Sequence, residues 1–486
     1  MTEGFALPFF YSTHEDKGHD TFTFGKYPVL TGQTGCLSEL NNPFCINNQC
    51  ICLYTIKENS NFVSKNIGYK QKVKQINQEN KMKVLLLSLA LALSLNGTAQ
   101  VKTINSKTTY AKEVLQKYVD DGRLPGAVSV FYNNGVQEVC CIGYADVEKK
   151  LPIGMKNVYM QCSQTKGFCG VTIAKLVEEG KISLDDPVSK YLPEFAELWV
   201  QDEVKDGVKT LHKAKNVLTI RMVMNHTGGF PFECSAKRHD VRGGGWSGGA
   251  PIRQVASIAA ASPLLFEPGT GTTYSNTGID IGAAVVEEVT GMKWEDYLKK
   301  VVLDPLGMKH TTCWPTDKQL KKQVQMYDVS DKAPAVYRHE NGWQQRPYND
   351  SHVFASAGAG LWTTVEDQLK FYKMLMNLGM GENGVRILKE ETVRNLLAKS
   401  TRPKDMEGYS LGLSAPVKDT EDAWFGHGGA WGTNCSVNWH RKQLKLWVVQ
   451  INGPQPWGAD WNKASDEFFS QKSSSSNVDN YTGRTK

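Results

Sequence analysis

Residues 160–170 read MQCSQTKGFCG, and they place a serine three positions before a lysine at the start of an amphipathic stretch. Apolar residues then recur at helical spacing until Gly180, so Ser163 is predicted to lie at the N-terminus of a helix. Lys166 follows one turn later on the same face. Burial favours the neutral amine of a lysine, and the positive end of a helix favours negative charge on a serine oxygen. The stretch therefore indicates a candidate nucleophile with an adjacent base.

The same stretch is also compatible with a structural role, because a serine often caps a helix and a lysine in the first turn is usually solvated. The flanking cysteines do not indicate a disulfide. Seven helical residues would separate Cys162 from Cys169 by about 10 Å, and a disulfide joins Cα atoms no more than about 7 Å apart. Cys169 is interpreted as a core residue and Cys162 as a small residue behind the serine.

Two later segments favour the catalytic interpretation. Tyr274 and Asn276 lie in a Gly- and Thr-rich loop that enters a predicted helix, and His427 with two following glycines leads into a predicted strand. Serine with lysine, then tyrosine with asparagine, then a basic residue with glycines is the order of a three-part hydrolase site. The sequence therefore predicts that these segments meet around Ser163 and Lys166.

Two other copies of these short patterns are interpreted as structural. Tyr132 begins a second Tyr-x-Asn pattern, which lies in a predicted hairpin turn. His226 begins a His-Thr-Gly pattern, which is predicted to end the helix of residues 218–225. The predicted secondary structure around these two patterns, and not their residue types, distinguishes them from the catalytic candidates.

Strand and helix patterns divide the chain into a sheet and a helical middle. Residues 127–147 alternate around an Asn-Asn-Gly turn as a hairpin does, and strand-like runs return at 409–417, 432–441 and 444–453. The segment from about 160 to 400 is mainly helical. We therefore predict an α+β fold of the α/β sandwich type. Both ends of the mature chain build one antiparallel sheet flanked by helices, and the middle forms a helical subdomain.

The segment 82–99 has the three-part layout of a secretory signal peptide. Basic residues precede a hydrophobic stretch from Val84 to Leu95, and small residues follow it, with cleavage expected after Ala99. This stretch is shorter than the roughly 20 residues that span a bilayer, so no membrane span is expected in the mature chain. The protein is therefore expected to be periplasmic or secreted.

The position of this signal is unusual, because 81 residues precede it. We expect translation to begin at Met82 and residues 1–81 to be a non-native or unstructured upstream extension. A genuine cytoplasmic extension with an anchor and a fusion scar are the alternatives. The folded domain is expected to span residues 100–472, and the serine-rich residues 473–486 are expected to form a disordered tail.

Composition indicates neither a nucleic-acid partner nor a metal site. The net charge is +6 over 486 residues, and the basic residues are scattered among acids. Four of the eleven cysteines lie within residues 36–52, but their spacing does not match paired zinc ligands. No metal or cofactor is predicted. A small-molecule or peptide acyl substrate is the expected partner, and the oligomeric state stays open.

The three motifs and the residues around them resemble one known family. The sequence is similar to the serine β-lactamase and penicillin-binding-protein superfamily, in particular to its class C β-lactamase-related serine hydrolases. The resemblance implies the fold predicted above and a serine hydrolase that needs no metal or organic cofactor. It covers residues 108–455 and is most evident at 175–195, 218–231, 274–311 and 356–375.

The resemblance implies a role for each residue of the first two motifs. Ser163 would attack a carbonyl carbon and become acylated, and water would then release the acyl group. Lys166 and Tyr274 would form the proton-transfer pair, with either one as the base. Asn276 would hold Lys166 and the substrate amide or carbonyl group.

The resemblance also implies roles around the third motif. The backbone N–H groups of Ser163 and Ala430 would form an oxyanion hole. His427 would lie beside the leaving group or a substrate carboxylate. Gly428 and Gly429 would let the substrate lie close against the strand.

His427 departs from the pattern of typical class C β-lactamases, which have the lysine of a Lys-Thr-Gly triad there. A lysine is a permanent cation that attracts the substrate carboxylate, whereas a histidine is mostly neutral at pH 7. Gly428 also lacks the threonine hydroxyl. We therefore expect a serine hydrolase of esterase or D-amino-acid peptidase type. A class C-like β-lactamase and a penicillin-binding sensor that is acylated without turnover are the alternatives.

Overall fold

The computed structural model of the protein describes most of the chain between residues 110 and 453, together with a few short strands before it. The predicted signal peptide 82–99 and tail 473–486 lie outside the described residues, as does most of the predicted extension. The described residues are 44–46, 49–51, 102–105, 110–133, 136–232, 250–329, 336–338, 353–406, 408–416, 425–429, 435–440 and 445–453.

The chain divides into two units, Met1–Gly97 and Thr98–Lys486. In the first unit, two short strands form an antiparallel pair, β1 (Phe44–Ile46) with β2 (Gln49–Ile51). None of the helices in the described part of the chain has the length and hydropathy needed to cross a bilayer.

The second unit contains all the other described elements. Its strands are β3 (Lys102–Asn105), β4 (Gly126–Asn133), β5 (Val136–Asp146), β6 (Leu151–Pro152), β7 (Tyr159–Met160), β8 (Trp199–Gln201), β9 (Leu211–Lys213), β10 (Tyr327–Val329), β11 (Val336–Arg338), β12 (Trp362–Thr363), β13 (Cys435–His440) and β14 (Lys445–Ile451). Its α-helices are α1 (Tyr110–Asp120), α2 (Thr165–Glu178), α3 (Ile220–Met224), α4 (Ile252–Ala260), α5 (Asn276–Thr290), α6 (Trp294–Leu298), α7 (Asp317–Leu320), α8 (Val365–Met376) and α9 (Glu390–Thr392). Short 3-10 or π turns span Cys162–Gln164, Val188–Lys190, Pro193–Phe195, Lys299–Leu303 and Val393–Leu397.

The main sheet has the strand order β13-β14-β4-β5-β3, with β6 added against β5. The strands β13, β14, β4 and β5 are antiparallel neighbours, and the first two come from the C-terminal part of the chain. The predicted fold class is therefore confirmed, with a sheet built from segments near both ends of the described second unit. One detail was not predicted, since β3 pairs in parallel with β5 at the edge of the sheet.

Both faces of this sheet are covered. The five consecutive side chains of β4 from Ala127 to Phe131 are at most 3 % exposed, although successive side chains of a strand point to opposite faces. Helix α1 packs against β5, and α8 packs against β14. Burial on both faces gives the predicted sandwich arrangement. The mainly helical middle also contains the short strand pairs β7–β12, β8–β9 and β10–β11.

Helix α2 is the central helix of the second unit. All its residues from Thr165 to Ala174 are buried, and α5 packs against it. Gly180 follows the helix with a φ of +68°, a left-handed conformation that ends helices. The sequence therefore predicted the end of this helix correctly, but the helix is buried on all sides over its first ten residues and not only along the predicted apolar stripe.

Residues 409–417 were expected to form a strand, and the described part of this run forms a tight turn closed by a β-bridge instead. The turn lies directly on the backbone of α2. A Cβ atom on Gly412 would lie 2.1 Å from the Lys166 carbonyl oxygen, and one on Gly170 would lie 1.8 Å from the Leu411 carbonyl oxygen. Only glycine permits so close an approach at both positions. This contact places the turn beside the predicted catalytic residues.

Candidate active site

Ser163 lies in the 3-10 turn Cys162–Gln164, which leads directly into α2. Cys162 has a left-handed backbone with a φ of +50°, which costs a non-glycine residue about 1–3 kcal/mol. The Gln164 side chain donates to the His427 carbonyl oxygen at 3.0 Å. The nucleophile candidate is therefore presented on a strained turn that is tied to the third motif.

Lys166 is fully buried, and its side-chain nitrogen is surrounded by oxygen atoms. Nζ lies 2.5 Å from Asn276 Oδ1, 2.7 Å from the Gly358 carbonyl oxygen and 3.2 Å from Ser163 Oγ. The first two oxygens can only accept, so they use two of the nitrogen's hydrogens. The third tetrahedral position of Nζ therefore faces Ser163 Oγ, which is the geometry that proton transfer between them requires.

The second motif is positioned by the start of α5. The Ser275 hydroxyl caps this helix by accepting from the Gly278 N–H at 3.0 Å. Asn276 is the first residue of the helix and is buried, so its amide oxygen reaches Lys166 from a fixed backbone. The Ser275 cap thus fixes the backbone between Tyr274 and Asn276, and with it the starting points of these two side chains.

Tyr274 lies beside Lys166, whose Nζ is 4.6 Å from the centre of the Tyr274 ring. The side chain is 37 % exposed, yet burial at its hydroxyl end raises the pKa of the phenol, and a hydrogen bond with Ser163 opposes this shift only in part. The phenol is therefore protonated at neutral pH. In this state it can donate a proton but cannot accept one from Ser163.

His427 carries one proton, and its position can be assigned from the partners of the ring. Nδ1 contacts the Gly428 carbonyl oxygen, which can only accept, so Nδ1 is the protonated nitrogen. Nε2 is then an acceptor, and it lies 2.8 Å from the Tyr409 hydroxyl and 3.3 Å from the Tyr274 hydroxyl. Burial and the nearby charge of Lys166 lower the pKa of His427 to about 3. The imidazole is therefore neutral at physiological pH.

A second histidine, His226, lies behind the tyrosines. Its ring centre is 4.5 Å from those of Tyr274 and Tyr409, and its Nδ1 accepts from the Ser275 N–H at 3.3 Å. Burial lowers its pKa well below the usual value, and the charges of Lys166 and other nearby groups add to this. Its Nε2 has no hydrogen-bond partner in the described part of the chain.

The free energy of unfolding is expected to fall as the pH is lowered from about 6.5. The pKa values of His226 and His427 are both lower in the folded protein than the 6.5 of an ordinary histidine. The unfolded chain therefore binds more protons below pH 6.5, and protonation favours it progressively down to the folded pKa values. Above about pH 6.5 neither group contributes. Thermal unfolding followed by circular dichroism between about pH 7.5 and 5 measures the effect.

Two variants separate this effect from the general titration of carboxylates. His226→Gln removes one of the two groups and should make the unfolding temperature less dependent on pH in this range. His310→Gln changes an exposed histidine and should leave the dependence unchanged. An unchanged pH dependence in His226→Gln would show that the folded protein does not keep this histidine neutral.

The cysteines that flank the nucleophile are not bridged. The structure records no disulfide at five described cysteines of the second unit, Cys140, Cys141, Cys162, Cys169 and Cys313. Cys162 and Cys169 are both buried, as expected for packing residues, and burial raises the pKa of the Cys169 thiol. These thiols are therefore core groups rather than reactive ones.

The glycines of the third motif differ in their surroundings. Gly429 is buried, and a Cβ atom there would lie 2.7 Å from the Gln161 carbonyl oxygen. Glycine therefore allows the third motif to approach the segment before Ser163. Gly428 is exposed, and Ala430, the predicted second oxyanion donor, lies outside the described residues.

Among the described residues, no group of three or more His, Cys, Asp or Glu side chains could hold a metal ion. The structure instead brings together five of the side chains singled out from the sequence. Hydrogen bonds and ring contacts link these side chains into one contiguous cluster, which consists of Ser163, Lys166, Tyr274, Asn276 and His427.

The order and geometry of these motifs agree with a comparison against known families. The Beta-lactamase family model matches residues 111–459, which include all three motifs and most of the chain. The chain belongs to the beta-lactamase family. The resemblance noted in the sequence is thereby confirmed.

This beta-lactamase family member is similar to an uncharacterized protein of Mycobacterium tuberculosis, with 28 % identity over 326 residues, 66 % of this chain and 77 % of that protein. Its fold is similar to that of EstCE1, described as a hydrolase with promiscuous acyltransferase activity. That match has a TM-score of 0.55 and 22 % identity, and covers 71 % of this chain and 93 % of EstCE1. The D-amino acid amidase of Ochrobactrum anthropi SV3 gives a TM-score of 0.54 and 19 % identity, covering 74 % of this chain and 95 % of the amidase. At these identities the solved structures show the shared fold alone.

Sequence reasoning missed several contacts of the cluster in this beta-lactamase family member, among them the Gly358 carbonyl oxygen, which accepts from Lys166, and the Tyr409 hydroxyl. Tyr409 donates to His427, but its surroundings had been interpreted as a strand. A tyrosine 18 residues before the histidine has no spacing signal that links the two. His226 was expected to follow the end of a helix, and it does follow α3, although its ring also packs against the site.

Proposed function

We propose that this protein is a serine hydrolase that cleaves an ester or an amide through an acyl-enzyme, of esterase or D-amino-acid peptidase type. The observation that carries the proposal is the contact of Lys166 Nζ with Ser163 Oγ at 3.2 Å. The other two partners of that nitrogen are oxygens that only accept, so its remaining position is directed at the serine. A serine with a buried amine aimed at its oxygen is the arrangement of an activated nucleophile.

Lys166 acts as the base in its unprotonated form, which its burial favours. In the acylation step this amine takes the proton of Ser163 while Oγ attacks the carbonyl carbon. Tyr274, which is protonated at rest, donates its phenolic proton to the leaving oxygen or nitrogen. The proton held by Lys166 then restores the phenol, so the step is balanced. In deacylation a water molecule takes the place of the leaving group and passes its proton along the same residues in reverse.

The electrostatics of the third motif support an acyl donor without a carboxylate. His427 is uncharged at physiological pH because its pKa is about 3. Arg402, which lies over the ring of Tyr409, donates to the Asn225 carbonyl oxygen at 2.7 Å. A substrate carboxylate would therefore meet a neutral imidazole, and not a cation, at position 427. Substrates without a carboxylate, such as esters and D-amino-acid amides, fit better than the carboxylate-bearing β-lactams.

A substrate panel tests this proposal. It contains p-nitrophenyl esters of increasing acyl length, D-amino-acid p-nitroanilides, D-Ala-D-Ala peptides and a chromogenic cephalosporin. We expect kcat/KM for an ester or a D-amino-acid substrate to exceed that for the cephalosporin by at least about tenfold, equivalent to one weak charge interaction in the transition state. The Ser163→Ala variant supplies the background rate.

Each alternative has its own outcome in the same panel. Preferred turnover of the cephalosporin would contradict the proposal and favour a β-lactamase. Stoichiometric labelling by penicillin without turnover of any substrate would favour a sensor or binder.

A further inference from the structure

The acceptor nitrogen of His427 faces two tyrosine hydroxyls and can satisfy only one of them well. Nε2 has a single lone pair, because Nδ1 carries the proton. The Tyr409 hydroxyl lies at 2.8 Å and the Tyr274 hydroxyl at 3.3 Å. The shorter contact has the ordinary length of a good hydrogen bond, and the longer one does not. Tyr409 is therefore the principal donor to His427.

Tyr409 is held rigidly where its hydroxyl can reach the histidine. It is 6 % exposed. The centre of its ring lies 4.5 Å from the centre of the His226 ring and 5.1 Å from the guanidinium carbon of Arg402. Its carbonyl oxygen accepts from the Thr401 N–H and the Ser400 hydroxyl. Burial also keeps the phenol protonated, because it raises the pKa of Tyr409 well above the usual value. The hydroxyl is thus a fixed donor.

The choice of donor decides where the Tyr274 proton points. If Tyr409 did not occupy Nε2, the Tyr274 hydroxyl would be the remaining donor within reach of that lone pair. Its proton would then be directed at His427 and away from Ser163 and the leaving group. The hydrogen bond that the Tyr409 hydroxyl donates to His427 Nε2 therefore keeps the Tyr274 proton available for the reaction.

We propose that Tyr409 is a positioning residue: its hydroxyl holds His427 in the Nδ1–H tautomer, occupies Nε2, and so leaves the Tyr274 proton free for transfer at Ser163. The reaction part of this inference rests on the proposed function. The hydrogen bond and the tautomer do not, and they can be tested without a substrate.

The kinetic test compares Tyr409→Phe with Tyr297→Phe. The first removes only the hydroxyl that contacts His427. The second removes the hydroxyl of another buried tyrosine, which has no hydrogen-bond partner in the described part of the chain. We expect Tyr409→Phe to lower kcat by about tenfold or more with KM changed less than about twofold, because the lost effect concerns proton transfer and not binding. Tyr297→Phe should stay within about twofold of wild type in both constants.

The pKa of His427 gives a second readout. The 2.8 Å hydrogen bond from Tyr409 favours the neutral imidazole, and the 3.3 Å contact from Tyr274 replaces it only in part, so the pKa of His427 should rise in Tyr409→Phe. A nitrogen NMR titration of histidine-labelled protein measures this rise. The other titratable groups that face or lie near this imidazole are Tyr274, Lys166 and His226, and they are unchanged in the variant.

Nitrogen NMR of histidine-labelled protein tests the hydrogen bond directly. The signals of His427 are those lost in His427→Gln. In the wild type we expect a protonated Nδ1 and a hydrogen-bonded, unprotonated Nε2. In Tyr409→Phe the Nε2 resonance should shift, and in Tyr297→Phe it should not.

The outcomes separate this inference from the proposed function. A wild-type protein that turns over no ester or amide would refute the proposed function, while the NMR comparison would still decide the Tyr409–His427 bond. An Nε2–H tautomer in the wild type, or an unshifted Nε2 resonance in Tyr409→Phe, would overturn the inference. So would a shifted resonance accompanied by wild-type kcat and an unchanged pKa of His427 in an active enzyme.

Discussion

Replacement of Ser163 by alanine is expected to remove ester and amide turnover, with kcat lowered by roughly 10⁴–10⁶-fold, as is usual when the nucleophile of a serine hydrolase is lost. Ser163 Oγ is the oxygen at which the buried amine of Lys166 is aimed. Without it, neither Lys166 nor Tyr274 has a nucleophile to activate. Initial rates with the preferred substrate of the panel measure the loss.

Covalent labelling distinguishes a lost nucleophile from a lost fold. A fluorophosphonate probe should add to the wild-type peptide that contains Ser163, as seen by mass spectrometry, and should fail to label Ser163→Ala. Ser183→Ala, which changes an exposed serine in a turn, is the matched control and should keep wild-type labelling and rates. Hydrolysis that survived in Ser163→Ala would refute the proposed mechanism.

Replacement of Lys166 by methionine should lower kcat by roughly 10³-fold or more, since the methionine cannot take the serine proton and the general base is usually worth this much. It should also lower the unfolding temperature. The change leaves Asn276 Oδ1 and the Gly358 carbonyl oxygen without their buried donor, and each unsatisfied group costs about 1–3 kcal/mol. The acylation rate with the fluorophosphonate probe and thermal unfolding measure the two effects.

The chain offers a closely matched control for this variant. Lys373 is also buried, bonds to Gln137 and Glu382, and lies 4.6 Å from the centre of a tyrosine ring, that of Tyr132. Lys373→Met should therefore reduce stability to a comparable degree but leave the acylation rate of the folded protein unchanged. Equal rate losses in the two variants would mean that the Lys166 effect is structural and not chemical.

The fold and the principal members of the site were accessible from sequence because they depend on short-range patterns. Alternation around residues 127–147 gave the hairpin that starts the main sheet, and the apolar spacing after Ser163 gave the central helix. The first two motifs could be recognised because each lies at the start of a helix, and the third because its glycines precede a run with strand-like spacing. Residue type and local spacing are enough to find features of this kind.

The features that sequence reasoning did not find depend on tertiary contacts. Leu411 and Leu413 alternate with small residues as in a strand, but the glycine at 412 fits against the backbone of α2 and bends the segment into a turn. No residue pattern near position 412 indicates its contact with α2, so the hydrogen bond between Tyr409 and His427 was not predicted. The left-handed backbone of Cys162 is another example, because no residue type there signals a positive φ.

The glycine crossing between α2 and the 409–414 turn has a consequence for laboratory evolution of this protein. Backbone touches backbone at Gly170 and Gly412, so no side-chain change can be absorbed there by repacking. Libraries that vary either position would consist largely of misfolded clones. Diversity is better introduced at exposed side chains such as Phe232, whose ring stacks against that of Tyr274 with the ring centres 6.1 Å apart.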